Sequence, residues 1–177
     1  LQVCDNGEAA FFADDYRAFR DAEGNAEPEV TACDDDMLYI MYTSGTTGLP
    51  KGVVHTHHTA IWGLFSIAAT ANYNIPERFL ACLPMFHVGA LTPLAVNVYR
   101  GVTSVVMRSF DPLAAWKIIE SEKITSALCV PAMLNFMVQV PNFEDFDRST
   151  LRWIMTGAAP VPVALTQQYL SLIHICR

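Results

Sequence analysis

The sequence feature that most constrains the fold is an alternation of short apolar runs with helical patterns, which begins at Met37. The apolar runs have the length and the β-branched or aromatic content of strands, and helical segments follow them along the chain. Because parallel strands need helical crossovers, this order predicts an α/β fold with a largely parallel open sheet flanked by helices. Ligands bind such sheets at the carboxyl ends of strands, so the loops TSGTTGLPKG and TGAAP are the first candidates for a site.

Periodicity and capping residues place the individual elements. Strands are expected in MLYIMYT, RFLACLP, VTSVVM, TSALCVP and LRWIMTG. One helix is predicted from about Thr59 to Ala71, and the apolar residues that share its face are Ile61, Trp62, Phe65 and Ala68. Asp111 and Pro112 are the residue types that begin a helix, and Gly101 is the type that ends one.

Residues 1–36 differ in composition from the rest of the chain. They carry eleven of the 18 acidic residues, and we expect a short helix followed by an exposed loop there. We therefore divide the chain into an acidic lead-in with an incomplete N-terminus, residues 1–36, and a partial domain, residues 37–169. Hydrophobic residues make up 52% of the chain and charged residues 16%, which predicts a piece of a larger protein.

Charge and cysteine content indicate the environment of the protein. The formal net charge is −7 and no dense stripe of Lys and Arg is present, which argues against a nucleic-acid partner. The five cysteines are scattered without a C-x-x-C pair and predict reduced thiols in a cytosolic protein. Peripheral contact with the inner face of a membrane is compatible with this sequence, although no polybasic patch supports it. The oligomeric state cannot be read from the sequence.

The loop that follows the first predicted strand combines glycines, hydroxyls and one cation. Gly45, Gly48 and Gly52 allow the backbone to approach a ligand closely. Hydroxyl donors are supplied by Thr43, Ser44, Thr46 and Thr47. Lys51 adds a mobile point charge suited to phosphate oxygens. Together these residues predict a clamp for a polyphosphate, and hence for a nucleotide.

Three other interpretations of this region agree less well with its residues. A flexible surface turn would explain the Gly and Thr content but not the density of donors beside Lys51. The P-loop of nucleotide-hydrolysing enzymes needs Gly and Lys adjacent, whereas Pro50 precedes Lys51 here. The run HTHH lacks an acidic or Cys partner at a fixed spacing, so we predict no metal site there.

Three motifs in order carry a resemblance to a known family. YTSGTTGLPKGVVHTH resembles the phosphate-loop signature of the adenylate-forming superfamily, which includes acyl-CoA synthetases, 4-coumarate ligases, firefly luciferases and peptide-synthetase adenylation domains. LPMFHVGAL and TGAAPVP resemble two further segments of that superfamily. VPAMLNFMVQVP together with MYTSGTTG most resembles bacterial fatty-acyl-CoA synthetases of medium to very long chain length, and the likeness covers about residues 30–170. The resemblance implies that the chain is part of the large N-terminal domain of such an enzyme.

The resemblance also implies roles for particular residues. The nucleotide phosphates would be bound by Thr43, Ser44, Gly45, Thr46, Thr47, Gly48 and Lys51, of which Lys51 and Thr43 would be catalytic. The adenine and acyl sites would be lined by Gly157, Ala158, Ala159 and Pro160. His87 would lie at the carboxylate end of the acyl pocket, although a lone His beside apolar residues is otherwise typical of a packed core. Gly89 and Ala90 indicate an open tunnel for a lipid-length acid, with aryl acids as the alternative.

The activity implied is ATP-dependent conversion of a carboxylic acid to acyl-AMP and then acyl-CoA, with Mg²⁺ bridging phosphate oxygens. Nothing in the 177 residues corresponds to the family's Tyr-Gly-x-Thr-Glu segment, to its ribose-binding Asp or to its C-terminal domain with the adenylation Lys. We therefore expect this chain alone to be inactive, and a non-catalytic nucleotide-binding remnant is the alternative. The end of the chain, LSLIHICR, resembles translated adapter sequence, so residues 170–177 are expected to be a non-native tail.

Overall fold

The computed structural model describes residues 14–45, 48–70 and 77–173. The chain divides into two compact units, Leu1–Cys33 and Asp34–Arg177. In the first unit, helix α1 spans Tyr16–Ala22, and its N-cap Asp15 accepts a hydrogen bond from the backbone N–H of Arg17 at 2.9 Å. Exposed residues follow this helix, so the predicted short helix and loop are both present.

A β-hairpin begins the second unit. Strand β1 spans Met37–Thr43 and strand β2 spans Lys51–Thr56, and the two pair antiparallel with Thr43 opposite Lys51. We expected β1 to lead through a loop into a helix as part of the parallel sheet, and that expectation is wrong. The glycine-rich segment turns the chain straight back, and the β-branched residues of KGVVHT form a second strand. The predicted phosphate loop is therefore a hairpin loop outside the parallel sheet.

The remaining strands form a four-stranded sheet in which all neighbours are parallel. Its strands are β3 (Arg78–Ala81), β4 (Thr103–Val106), β5 (Ser126–Cys129) and β6 (Trp153–Thr156), and their order in the sheet is β4-β3-β5-β6. The helices are α2 (His57–Thr70), α3 (Val88–Arg100), α4 (Pro112–Ser121), α5 (Pro131–Val138) and α6 (Val163–Leu172). This arrangement confirms the predicted α/β fold with a parallel sheet flanked by helices.

Local sequence signals set several helix ends. Asp111 caps α4, because its Oδ1 accepts a hydrogen bond from the backbone N–H of Ala114 at 2.6 Å. Gly101 ends α3 in a left-handed conformation with φ 67°, which a glycine adopts without strain. At the start of α2, Thr56 and Thr59 exchange hydrogen bonds between their hydroxyls and each other's backbone N–H. The predicted ends of α3 and α4 are confirmed, whereas α2 begins two residues earlier than expected.

Apolar residues cover both faces of the parallel sheet. On one face, Leu80 and its neighbours contact α4, α5 and α6 through a cluster that includes Trp116, Ile119 and Tyr169. On the other face, Phe79 belongs to a second buried cluster with Ala81 and Val102. Tyr169 is held by a hydrogen bond from its hydroxyl to the carbonyl of Leu134 at 3.0 Å, and burial raises the pKa of this phenol above its ordinary value. The sheet is therefore the central layer of the second unit.

A buried ion pair closes the amino-terminal edge of the sheet. Glu77 precedes β3 with its side chain 1% exposed, and Arg152 Nη2 lies 2.9 Å from its Oε1. The hydroxyl of Ser126, the first residue of β5, donates to Glu77 Oε2 at 3.1 Å. The carboxylate is thus both paired and hydrogen-bonded, as a buried charge must be.

The surface of α2 is unusually apolar. Trp62 is 60% exposed, and Ile61 and Phe65 are also exposed, so the predicted apolar face of α2 does not enter the core of the described residues. Phe65 makes an edge-on contact with Tyr99 of α3 at 5.6 Å between ring centroids, which links the two helices. None of the described helices combines the length and apolar character that crossing a membrane requires.

Two predictions about chain organisation stay predictions. The composition boundary after residue 36 lies close to the division between the two units, which falls after Cys33. Residues 170–172 continue α6, and residues 174–177 lie outside the described residues. Cys82 and Cys129 are buried thiols that are not joined by a disulfide bond, Cys33 is exposed, and the other two cysteines lie outside the described residues.

We predict that Trp116→Phe lowers the free energy of unfolding by about 1–3 kcal/mol. Trp116 is 1% exposed, its indole N–H donates to the carbonyl of Met137 at 2.8 Å, and its ring stacks on Phe143. The substitution keeps an aromatic ring but removes the hydrogen bond and part of the buried volume. Urea denaturation followed by circular dichroism measures the change.

Trp62→Phe is the matched control, because the same substitution then falls on an exposed ring. We expect this variant to stay within about 0.5 kcal/mol of the parent chain. Equal losses in the two variants would contradict the assignment of Trp116 to the core.

Candidate functional site

A cavity of about 1100 Å³ lies at the carboxyl ends of the four parallel strands. Each strand contributes the residues that follow it to the cavity wall. The wall comprises Cys82 to Gly89 after β3, Met107 to Phe110 after β4, Leu128, Val130 and Met133 around the end of β5, and Met155 to Ala158 at the end of β6. A cavity therefore lies where ligands bind on this kind of sheet, and its use as a ligand site stays a prediction.

His87 is placed in the cavity wall by the turn between β3 and α3. Its backbone N–H donates to the carbonyl of Pro84 at 3.1 Å, and its own carbonyl accepts from the N–H of Ala90 at 3.0 Å. The side chain is exposed, and its ring centroid lies 4.6 Å from that of Phe86. The alternative that His87 is a packed core histidine is therefore wrong, and the imidazole is available to a ligand.

Gly89 lies between this cavity and a smaller one of about 220 Å³. Both cavities are lined by Val88, Gly89, Leu128 and Met155. A Cβ atom at Gly89 would lie 2.9 Å from Leu83 Cδ1 and 3.7 Å from Leu128 Cδ2. The absence of a side chain at Gly89 therefore allows Leu83 and Leu128 to pack closely against the start of α3 where the two cavities share a wall.

The turn after β6 supplies a second predicted segment of the site. Gly157 and Ala158 line the cavity, whereas Ala159 and Pro160 are exposed in the same turn and are not part of its wall. Ala158 has φ 68°, a conformation that costs a non-glycine residue about 1–3 kcal/mol and is concentrated at functional sites. The hydroxyl oxygen of Thr156, also in the wall, is buried and has no hydrogen-bond partner among the described residues.

Sequence reasoning missed the contributions of β4 and β5. Arg108 and Ser109 follow β4, and Val130 and Met133 follow β5, and all four line the cavity. These residues could have been identified from their place directly after a predicted strand, because the carboxyl ends of parallel strands lie at the same edge of the sheet. Most of the wall is apolar, and polar or charged groups are contributed by His87, Arg108, Ser109 and Thr156. The cavity can therefore hold an apolar molecule with a polar or anionic end.

The hairpin loop is held in a conformation that requires glycine. Gly45 has φ 67°, and a Cβ atom there would lie 2.3 Å from the carbonyl oxygen of Leu49. Gly48 also has a positive φ, 98°. Across the base of the loop, the hydroxyl of Thr43 donates to the carbonyl of Lys51 at 3.5 Å. The side chains of Thr43, Ser44 and Lys51 are exposed, so the hydroxyl of Ser44 and the ammonium group of Lys51 can donate to a ligand from solvent.

Most of the predicted site residues that the structure describes thus fall into two groups, and Ala159 and Pro160 belong to neither. Thr46 and Thr47 lie outside the described residues. The other loop residues, Thr43, Ser44, Gly45, Gly48 and Lys51, form the hairpin loop, and none of them is part of the cavity wall. His87, Gly89, Gly157 and Ala158 are brought together around the cavity. The cation and hydroxyls of the hairpin loop are chemically suited to an anionic ligand. The apolar cavity is suited to a lipid-like ligand.

The histidines of HTHH make aromatic contacts. His55 stacks on Tyr39 with ring centroids 4.7 Å apart, and His58 lies 6.2 Å from Trp62. Within the described ranges, no three His, Cys, Asp or Glu side chains are grouped so that they could hold a metal ion.

Comparison with known proteins gives the relationship of the chain to curated enzymes. It is 48% identical over 143 residues to the long-chain-fatty-acid–CoA ligase FadD13 of Mycobacterium tuberculosis strain H37Rv, an alignment that covers 81% of this chain and 28% of that protein. It is 34% identical over 152 residues to feruloyl-CoA synthase of an Amycolatopsis species, covering 85% of this chain and 31% of that enzyme. The chain therefore spans less than a third of the length of these relatives.

The fold agrees with these relationships. The inhibitor-bound crystal structure of the N-terminal domain of FACL13 from Mycobacterium tuberculosis superposes with a TM-score of 0.85 at 44% identity, covering 90% of this chain and 40% of that one. The family model described as AMP-binding enzyme matches residues 3–176. Because the match extends over nearly the whole sequence and includes all three motifs, the chain belongs to the AMP-binding enzyme family.

Proposed function

We propose that the whole protein carrying this chain is an acyl-CoA synthetase that activates a fatty acid with ATP. The observation that carries the proposal is the large apolar cavity at the carboxyl ends of the parallel strands, with a second apolar cavity behind Gly89. Family membership and the long-chain-fatty-acid–CoA ligase as a relative support it. This chain supplies part of the N-terminal domain, and by itself it is expected to be inactive.

The reaction has two steps. A carboxylate oxygen attacks the α-phosphorus of ATP, which forms acyl-AMP and releases pyrophosphate. The thiol of coenzyme A then attacks the acyl carbon, which forms the thioester and releases AMP. Both partners in the first step are anions, so the rate depends on positioning and on neutralisation of phosphate charge.

The hairpin loop is suited to the phosphates. Lys51 supplies a positive charge at the base of the loop, and Thr43 and Ser44 supply hydroxyl donors. The left-handed backbone at Gly45 and Gly48 turns the loop without side chains that would keep the phosphates away. We propose that Thr46 and Thr47 complete this clamp.

Mg²⁺ would neutralise further phosphate charge when it is bound with ATP. The described loop residues offer hydroxyls and a cation but no carboxylate, so phosphate oxygens and water would be the main ligands of the ion. These residues would fit that role, since Lys51 and the hydroxyls would bind other phosphate oxygens.

The cavity is suited to the acid. His87 would contact the carboxylate end, and the turn of Gly157 to Pro160 would separate the nucleotide from the acyl chain. The apolar residues near Gly89 would accept the tail of the chain. We place the reaction in the cytosol, with peripheral contact at the inner membrane face when the substrate is taken from lipid.

An aryl acid is the second candidate substrate. Feruloyl-CoA synthase is 34% identical to the chain, and a cavity of about 1100 Å³ would also admit an aromatic ring. Comparison of palmitate with ferulate in substrate-dependent ATP–pyrophosphate exchange by the whole protein separates the two candidates. Exchange with neither acid would favour a nucleotide-binding remnant and overturn the proposal.

Lys51→Ala in the whole protein is expected to slow ATP–pyrophosphate exchange by about 100-fold or more, the scale of one charge-stabilising donor. The substitution removes the charge at the base of the hairpin loop and leaves the paired strands intact. Lys117→Ala, on the exposed surface of α4, is the matched control and should exchange at the parent rate. Unchanged kinetics in the Lys51 variant would remove this residue from the mechanism.

Gly89→Leu is expected to shift preference towards shorter acids, because the new side chain meets Leu83 and Leu128 where the cavities share a wall. The ratio of kcat/KM for palmitate to that for hexanoate should fall about tenfold, the scale of steric discrimination in an apolar pocket. Gly63→Leu is the matched control, since Gly63 is exposed on α2 with no neighbour within 4 Å. An equal loss for both acids would contradict a role for Gly89 in chain length.

A further inference from the structure

Two buried thiols face each other at the carboxyl ends of the central strands, where Cys82 directly follows β3 and Cys129 is the last residue of β5. Cys82 is 5% exposed and Cys129 is 1% exposed, and their sulfur atoms lie 3.7 Å apart. Leu80 of β3 pairs with Ala127 of β5, and each cysteine lies two residues further along its chain segment. The contact therefore lies directly beyond the last paired residues of two neighbouring strands.

The backbone geometry is compatible with a bond between the two sulfurs. Neighbouring strands lie about 4.7–4.9 Å apart, within the range of about 4.4–6.8 Å that disulfides span between Cα atoms. A disulfide bond is about 2.05 Å long, so the sulfurs must still approach each other from 3.7 Å. We expect rotation about the two Cα–Cβ bonds to supply this movement.

One of the two thiols can be reached by a small molecule. Cys82 is part of the wall of the large cavity, whereas Cys129 is not. A hydrogen bond with Cys129 lowers the pKa of Cys82, while the same contact and burial raise the pKa of Cys129 well above its ordinary value. Cys82 is therefore the better nucleophile of the pair, and Cys129 is placed to react with it.

We propose that Cys82 and Cys129 form a redox-sensitive dithiol that a peroxide entering the cavity converts to a disulfide. In the first step the sulfur of Cys82 attacks one oxygen of hydrogen peroxide, which gives a sulfenic acid and releases one water. In the second step the thiol of Cys129 attacks that sulfur, which forms the S–S bond and releases a second water. The two thiols lose two electrons and two protons, and the peroxide is reduced to water.

The disulfide would join two segments that carry the cavity wall. Cys82 leads into the turn that holds His87, and Cys129 leads into Val130 and helix α5. A covalent link between them would restrict movement at the mouth of the cavity and make that movement dependent on the redox state. The inference concerns these two thiols alone and does not rest on the proposed function.

Peptide mapping by mass spectrometry tests the proposal on the full 177-residue chain. The folded chain is treated with a small excess of hydrogen peroxide, alkylated, digested and analysed with and without dithiothreitol. We expect a peptide pair linked through Cys82 and Cys129 that dithiothreitol separates. No such pair, or one that forms only in urea, would overturn the proposal.

Two variants and a control separate the pair from the other cysteines. In Cys129→Ala the oxidation should stop at a sulfenic acid on Cys82 that a dimedone probe captures, and in Cys82→Ala neither product should form. Cys33→Ala is the matched control, because Cys33 is exposed and lies in the other unit, and it should give the same linked peptide as the parent chain. Circular dichroism verifies that each variant is folded.

Hydrogen exchange measures the consequence for the cavity. In the oxidised chain, amides of residues 82–88 and 129–133 should exchange more slowly, on the order of threefold or more, because the link opposes local opening. Amides of α1 should exchange at the same rate in both states. Equal exchange of the cavity segments before and after oxidation would overturn the claim that the link restrains the cavity.

Discussion

The burial of β3 and β5 on both faces holds the other parts of the structure in place. Phe79 and Leu80 are neighbours in β3, point to opposite faces of the sheet, and are each at most 2% exposed. Full burial of side chains of this size contributes about 1.5–3 kcal/mol each. Because both faces of the central strands must be covered, helices have to lie on either side of the sheet, and the chain has to cross from one strand to the next through them.

The edge of the sheet at which the strands begin carries charged and polar groups, whereas the edge at which they end is mostly apolar. At the amino-terminal edge, Glu77, Ser126 and Arg152 satisfy one another and close the sheet with a buried ion pair. At the carboxyl edge the chain leaves each strand towards a helix, and the diverging segments leave the large cavity between them. The position of the cavity is therefore a consequence of the parallel topology, while its apolar character comes from the residues at the strand exits.

The hairpin and the cavity carry different parts of the chemistry that we propose. The hairpin offers a cation and hydroxyls on a loop whose shape is set by Gly45. The cavity offers apolar volume with His87 at its wall. An enzyme that transfers the AMP part of ATP to a lipid-like acid needs both environments, because one substrate is strongly hydrated and the other is not. The same cavity wall contains Cys82, which gives the site a group that can respond to oxidants.

The amino-acid sequence by itself determined the elements whose signals are local. Three such signals depend only on residues that are close in the sequence, and the structure contains all three features. They are the capping of α4 by Asp111, the end of α3 at Gly101 and the alternation that indicates a parallel sheet. The phosphate-loop motif could also be recognised from the sequence, because the residue types of a polyphosphate clamp are contiguous in the chain.

Only the tertiary structure decided which strands pair and which residues meet. The sequence predicts a loop at Lys51, whereas Lys51 begins β2 in the structure. The difference arises because the pairing of β2 with β1 depends on contacts across a turn and not on local propensity. The role of Arg108 and Met133 in the cavity wall, and the contact of Cys82 with Cys129 across 47 residues of sequence, were not predicted. Such contacts depend on which distant strands become neighbours in the sheet. The hydrophobic pattern, which repeats every two residues in a strand and every 3.6 in a helix, contains no information about that choice.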